Sequence, residues 1–419
     1  MRNVFGAVIA ACALFVVMQL GACSKEAPEP ATGNTDETSV GTTSEFVWLS
    51  QGTPAGESSV VRTGDGRETV ESFMHWNNRE YTVNSELQLN ADGIPIAQRI
   101  TGISPFGATI DESFAYENGV ASWSTAGESG SVTTDDPGFY LPTEYGSLGI
   151  TTLVQAALKN IDGELAILPS GTARVEKLTT ADVDTPDGSQ ALSLYSIAGL
   201  GFTPTYAWFD ENMEVAVLDF GGYMGMYPKG WSSDVLDQLS TIQIAEDAAM
   251  IERISGDLAH VLDTPVLFEN VDVVDVELGI LLEDHNVLVA DGKIVAISAD
   301  PLESDDAKRI DGAGKSLLPG MWDMHGHFGL SDGVLNIAGG ITSVRDIGSV
   351  HEQIMELTAK HDSGEVIGPN TYRSGFIDQA SPYATGDTVE SLEEALERVD
   401  FYAENGYMQI KLYSSIDPE

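Results

Sequence analysis

Apolar and polar residues alternate in short runs from about residue 46 to residue 262, and turn residues separate the runs. One clear case is the turn Asn90-Ala91-Asp92-Gly93, which lies between the alternating segments 81–89 and 96–100. Alternation broken by such turns is typical of antiparallel strands joined in hairpins. We therefore predict an antiparallel β-rich domain over residues 46–262. Two roles remain open for it: binding an apolar ligand in a curved sheet, or docking on the rest of the chain.

The spacing of apolar residues changes in two places within this region and again after it. Helical spacing predicts helices at residues 151–159 and 235–252. Alternation then returns at residues 266–273, 287–290 and 293–297, with the turn Asp291-Gly292 before the last of these segments. Residues 263–318 are therefore expected to form a small, separate β unit.

Strands and helices alternate from residue 319 to the end of the chain. Strands are predicted at 321–327, 341–346, 371–374 and 409–413. Before the last strand, Ser391-Leu392-Glu393-Glu394 has the form of a capping box, the apolar residues Leu392, Leu396, Val399 and Ala403 keep helical spacing, and Gly406 ends the helix. Four βα units of this kind form either an open doubly wound sheet or part of a barrel. No glycine-rich nucleotide loop follows the first strand, which favours the barrel.

Charge narrows the classes of function. The 419 residues include 65 acidic and 20 basic ones, a formal net charge of −45, with 42% hydrophobic residues. Such a chain repels phosphate backbones, so a nucleic-acid partner is excluded. The excess of acid indicates either a saline habitat or solubility alone.

The first 22 residues are typical of an export signal, with Arg2 before an apolar stretch at residues 5–20. Both cysteines of the chain, Cys12 and Cys23, lie in this region. The run Leu20-Gly21-Ala22-Cys23 resembles the lipobox of bacterial lipoproteins, which implies cleavage before Cys23 and lipidation of Cys23. We expect residues 23–45 to be a flexible tether, and the exported protein to be anchored by lipid to the outer membrane, facing the periplasm. The alternative is an ordinary secreted protein.

Two histidines and one lysine are the candidate metal ligands. His325 and His327 lie two residues apart in a strand, so they project to the same face at its C-terminal end, and Gly326 between them leaves room for an ion. Lys411 lies in an apolar strand between Ile410 and Leu412. Its amine is either a ligand or the partner of a carboxylate at the barrel mouth.

The segment Pro319-Gly320-Met321-Trp322-Asp323-Met324-His325-Gly326-His327 resembles the amidohydrolase superfamily, and residues 406–413 resemble its imidazolonepropionase-like and prolidase-like subgroup. The resemblance implies that residues 263–318 form the small β-sandwich of the family, and that residues 319–419 form the first half of a (β/α)8 TIM barrel. It also implies one or two divalent metal ions, of which zinc is the expected one, and a carboxylated Lys411 that bridges them. The expected function is hydrolysis of an amide, cyclic amide or dipeptide-like C–N bond in a small substrate by metal-activated hydroxide.

The sequence gives weaker support for the other parts of the expected site. Arg345, Arg373 and Tyr413 follow or end strands and are candidates for substrate binding, with local ion pairing as the alternative. The resemblance implies that the general acid/base and two further histidine ligands lie beyond Glu419. His351 and His361 fall in the helix after the second strand and are expected on the opposite side of the barrel from the site. The alternative function is a non-catalytic, lipid-anchored lipoprotein that binds a ligand or partner, with a truncated barrel.

Overall fold

The computed structural model describes residues 41–50, 52–76, 79–143, 149–222, 224–260, 263–380 and 387–417. The predicted signal segment and Cys23 lie outside the described residues. Among the described helices, none is long and apolar enough to cross a membrane.

The first fifteen described strands form one sheet, in the order β8-β7-β6-β5-β4-β3-β2-β1-β15-β14-β13-β12-β11-β10-β9. Neighbours are antiparallel except for β9 and β10. The strands are β1 (Thr42–Ser50), β2 (Thr53–Arg62), β3 (Arg67–Trp76), β4 (Arg79–Leu89), β5 (Pro95–Ile103), β6 (Thr109–Glu117), β7 (Val120–Ser124), β8 (Ser129–Thr133), β9 (Phe139–Tyr140), β10 (Glu164–Leu168), β11 (Thr172–Thr185), β12 (Gly188–Ala198), β13 (Thr205–Phe209), β14 (Val215–Asp219) and β15 (Met224–Pro228). The predicted antiparallel character is confirmed, and β1 begins inside the predicted tether.

Each face of this sheet carries a helix. Helix α1 (Gly149–Ala157) buries Ile150, Leu153 and Val154 in one apolar cluster with strand residues such as Trp48. Helix α2 (Asp234–Leu258) buries Val235 and Leu239 in a second cluster that contains Trp208. In β13, Ala207 and Phe209 join the first cluster and Trp208 joins the second, since successive side chains of a strand point to opposite faces. Both faces of the sheet are therefore partly buried.

The next unit is a single mixed sheet of five strands, β16 (Val266–Asp275), β17 (Ile280–Ala290), β18 (Lys293–Ser298), β19 (Lys308–Asp311) and β20 (Ser316–Leu317). The described residues between 263 and 318 thus form one hydrogen-bonded sheet, and the expected β-sandwich stays a prediction. Val271, Val273 and Val287 make a small core, whereas Ile294 and Val295 are 63% and 59% exposed. A sandwich requires a second sheet against such side chains.

The last unit is a parallel sheet of β21 (Met321–Gly326), β22 (Ile341–Asp346), β23 (Asn370–Gln379), β24 (Asp387–Val389) and β25 (Gln409–Leu412), with β24 and β25 both paired to β23. Helices α3 (Asp332–Ala338), α4 (His351–Ser363) and α5 (Leu392–Glu404) alternate with these strands. The four predicted strands are present as β21, β22, β23 and β25. The described residues from 319 onward contain three helices, so four complete βα units are not present among them, and closure into a barrel remains a prediction.

Helix α5 starts as predicted, and its apolar stripe is largely exposed. The Ser391 hydroxyl caps the helix by accepting from the Glu394 amide at 3.2 Å, and Gly406 follows the helix with φ +74°. Leu392 and Leu396 are 76% and 56% exposed, and Tyr402 is the buried residue of this helix. Helical spacing alone fixes which residues share a face, and the neighbouring elements decide which face is covered.

Helix α2 also contacts the parallel unit. Ile251 packs in one cluster with Leu357 and Val366. The Ser255 hydroxyl accepts from the Ile367 amide at 3.0 Å, and Glu252 pairs with Lys360 at 3.1 Å. One helix therefore contacts both the large sheet and the parallel unit.

Candidate functional site

His325 and His327 lie together where β21 ends, as predicted. Their ring centroids are 5.5 Å apart, and both residues are exposed. The His325 amide donates to Asp323 Oδ1 at 2.9 Å, which holds the strand end. A Cβ at position 326 would lie 2.6 Å from Val344 Cγ1, so Gly326 allows close packing of β21 on β22. The room that it leaves for an ion stays a prediction.

The ring of His327 is held by the loop after β22. His327 Nδ1 lies 3.0 Å from the carbonyl oxygen of Gly348. A carbonyl only accepts, so Nδ1 carries the proton and the lone pair of the neutral ring is on Nε2. This second contact fixes a ligating histidine in many metal sites. The imidazole is therefore oriented for coordination through Nε2.

Asp346 holds the same loop through hydrogen bonds. It is fully buried at the end of β22, and it accepts from Ser349 Oγ at 2.6 Å and from the Gly348 amide at 3.3 Å. Burial raises the pKa of the Asp346 carboxyl, while these hydrogen bonds and the nearby His327 act to lower it. The carboxylate fixes the loop that presents the Gly348 carbonyl to His327.

Lys411 reaches this loop from β25. Its Nζ donates to the carbonyl oxygen of Ile347 at 3.1 Å and lies 4.6 Å and 4.7 Å from the ring centroids of Phe376 and Tyr413. These contacts suit an ammonium ion, because a carbonyl dipole and two aromatic faces all favour a cation. Lys411 and His327 line one cleft of about 900 Å³.

His351 is a residue of this cleft that the sequence prediction placed wrongly. It is the first residue of α4, its Nδ1 lies 3.0 Å from the Tyr407 hydroxyl, and it lines the cleft with His327. A helix that follows a parallel strand begins at the carboxyl edge of the sheet, so its first residue lies on the site side. His361 lies in the last turn of α4, at the other end of the helix from His351, and neither of its ring nitrogens has a hydrogen-bond partner among the described residues.

The three candidates for substrate binding do not lie at one place. Tyr413 lines the cleft, whereas Arg345 and Arg373 do not. Arg373 was predicted to end its strand, and this is wrong, because Arg373 is the fourth residue of the ten-residue β23. Its guanidinium donates to Thr358 of α4 at 3.0 Å and lies 5.4 Å from the Tyr407 ring centroid, so it faces the helices. Arg345 has a buried Nε with no partner among the described residues.

The donor set for a metal is partial. Within the part of the chain that the structure describes, no three His, Cys, Asp or Glu side chains come close enough to hold an ion. His327, whose ring is held through Nδ1, and Lys411 line one cleft, and His325 lies beside His327 without lining that cleft. Two imidazole nitrogens suit zinc and related divalent ions.

No protein-family model matches the chain, and comparison with curated proteins gives no match. Among solved structures, the chain is similar to one from Bifidobacterium longum described as a prolidase, at 22% identity and TM-score 0.35 over 38% of this chain and 42% of that chain. It is similar to a prolidase complexed with N-methylphosphonate-L-proline, at 24% identity and TM-score 0.31 over 36% and 46% of the two chains. A bottromycin amidohydrolase gives 21% identity and TM-score 0.32 over 40% and 36%. The chain spans less than half the length of each of these structures, so the function rests on the residues of its own site.

Proposed function

We propose that the protein is a metal-dependent hydrolase that cleaves an amide or related C–N bond in a small substrate. His325, His327 and Lys411 are its proposed ligands in this chain. The observation that carries the proposal is that His327 and Lys411 line one cleft and are each held by a backbone carbonyl of the same loop, those of Gly348 and Ile347. Such outer contacts are typical of residues that must keep one orientation toward an ion.

A bound divalent ion would supply Lewis-acid chemistry, activating water and polarising the substrate carbonyl. His327 would bind it through Nε2, and the neighbouring His325 would provide the second imidazole. Lys411 would join them as the carbamate, formed when its neutral amine adds to carbon dioxide and releases a proton. Carboxylation would exchange the present cation contacts of Lys411 for an anionic oxygen donor.

The rest of the cleft would hold the substrate. Phe376, Phe401 and Tyr413 give it aromatic walls, and Arg398 and Lys411 give it positive charge. This combination suits a small molecule with an apolar group beside a carboxylate, such as a dipeptide or an N-acyl amino acid.

Metal analysis together with turnover tests the proposal. The purified protein is assayed for zinc by mass spectrometry, and for release of amine from dipeptides, N-acyl amino acids and cyclic amides. The variants His325→Ala, His327→Ala and Lys411→Ala are expected to lose metal. For each substrate that the unaltered protein hydrolyses, these variants are also expected to lose turnover. His260→Ala removes an exposed histidine elsewhere and serves as the matched control. Full metal content in His327→Ala would refute the scheme.

A second candidate is a non-catalytic lipoprotein that binds a ligand or partner. It is favoured by the partial donor set, because two imidazoles and one amine hold zinc weakly. Stoichiometric zinc that survives dialysis supports the hydrolase, and weak, reversible zinc supports the binding protein. For either function we propose export and lipid anchoring through Cys23.

A further inference from the structure

A second, smaller cleft lies on the large sheet, where α2 crosses the end of β14. It has a volume of about 310 Å³ and is lined by side chains that include Tyr206, Asp219, Gln243 and Asp247. Asp219 and Gln243 are only 5% and 7% exposed, so their polar atoms are removed from solvent. Gln243 and Asp247 are four residues apart on α2, which places them one turn apart on the same face.

The carboxylate of Asp219 has one oxygen bonded and one without a partner. Oδ1 accepts from the Gly222 amide at 2.9 Å, within a tight turn in which Gly221 and Gly222 have φ of +66° and +74°. Oδ2 is buried and has no hydrogen-bond partner among the described residues. A buried carboxylate oxygen without a donor or a cation is costly, so its position calls for a positive partner.

Gln243 presents a second acceptor. Its Nε2 donates to the backbone carbonyl of Asp219 at 3.0 Å. Reversing the amide would set two oxygens against each other, so this contact fixes which end is Oε1. Oε1 is buried and also lacks a partner among the described residues.

Asp247 adds a second carboxylate. Its Oδ1 accepts from the Tyr206 hydroxyl at 2.8 Å, and neither Asp219 nor Asp247 forms an ion pair within the described part of the chain. Burial raises the pKa of the Asp247 carboxyl, against the hydrogen bond from Tyr206, which lowers it.

We propose that this cleft is a calcium site formed by Asp219, Gln243 and Asp247. Carboxylate and amide oxygens are the ligands that Ca²⁺ takes in proteins, and water completes its six to eight contacts. The proposed site at His325 and His327 is built on imidazole nitrogens, so the two sites differ in the chemical class of their ligands. A cation here would join α2 to the turn after β14, and α2 carries the contacts to the parallel unit through Ile251 and Ser255.

Thermal unfolding of the full chain in CaCl₂ or in EGTA, at constant ionic strength, tests the site. We expect Ca²⁺ near 100 times its Kd to raise the Tm by about 5 °C. The same concentration of MgCl₂ measures general screening of the acidic surface, and is expected to raise the Tm less. Equal shifts with both ions, or no shift with either, would overturn the proposal, the latter meaning that the cleft holds water only.

Variants assign the effect to the cleft. Asp247→Asn and Asp219→Asn keep side-chain shape while removing one charge each, and each is expected to weaken Ca²⁺ binding about tenfold or more, measured by calorimetry. Asp237→Asn makes the same change at an exposed position of α2 and is expected to keep the wild-type affinity. His327→Ala is also expected to keep it, which separates this site from the proposed hydrolase site. Wild-type Ca²⁺ affinity in both cleft variants would refute the assignment.

Discussion

His327 and Lys411 are bonded to the carbonyl oxygens of two consecutive residues, Gly348 and Ile347, although they come from strands that are far apart in sequence. The loop after β22 therefore sets the position of both side chains. Asp346 is buried beneath that loop and bonds to its Gly348 amide and Ser349 hydroxyl. Substitution of a residue that holds this loop should therefore affect the proposed metal site without altering a ligand.

Asp346→Asn tests this dependence. An amide cannot accept both loop hydrogen bonds as a carboxylate does, so the Gly348 carbonyl should lose its fixed position. We expect zinc affinity to fall about 10- to 100-fold, measured by competition with a chelator. Asp362→Asn, at an exposed position of α4, is the control. Unchanged zinc affinity in Asp346→Asn would show that the loop does not position His327.

Gly326→Ala tests whether this glycine serves packing. The new Cβ would lie 2.6 Å from Val344 Cγ1, so we expect a loss of about 1–3 kcal/mol in the free energy of unfolding, measured in urea. Val344→Ala removes the opposing methyl groups. The double variant should then cost about 1 kcal/mol less than the sum of the single changes. Additive costs would argue against the close contact.

His361 predicts a dependence of stability on pH. Burial lowers its pKa below the ordinary 6.5, against Asp362, which raises it. Because the folded state takes up a proton less readily than the unfolded state, stability is complete above the unfolded pKa and falls as the pH drops below it. His361→Phe should reduce the loss of stability between about pH 7.5 and 5.5. The exposed-site variant His260→Ala should keep the wild-type slope; an equal slope in His361→Phe would contradict the assignment.

Ile251→Ala tests the contact between α2 and the parallel unit. Ile251 is 3% exposed and packs with Leu357 and Val366, so its truncation should cost about 2–4 kcal/mol in unfolding free energy. Leu258→Ala changes a residue of the same helix that is 60% exposed, and should cost less than about 0.5 kcal/mol. Similar costs for the two variants would indicate that the contact contributes little.

Cys23→Ser tests the proposed anchor. Replacing the thiol removes the atom that would receive lipid, so the variant should incorporate no labelled palmitate and should leave the membrane fraction of the expressing bacteria. Cys12→Ser changes the other cysteine and is expected to keep both properties. Membrane association of Cys23→Ser at the wild-type level would remove the lipoprotein assignment.

Local features were accessible from the sequence because neighbouring residues decide them. The turn at Asn90–Gly93 joins β4 to β5 through its own backbone and side-chain hydrogen bonds, and the Ser391 cap needs only the Glu394 amide. His325 and His327 share a strand end because strand side chains repeat every two residues. None of these features depends on a distant part of the chain.

Tertiary structure decided what covers each element and which residues meet. The apolar spacing of α5 was readable, yet Leu392 and Leu396 are exposed because no described element packs on that face. His351 enters the cleft because α4 begins at the same sheet edge at which β21 ends, a juxtaposition set by parallel pairing. Lys411 and Ile347 are 64 residues apart, and only the pairing of β22 and β25 on either side of β23 brings them together. The sequence by itself determined the strand ends and their donor groups, whereas long-range strand pairing decided which of them form one site.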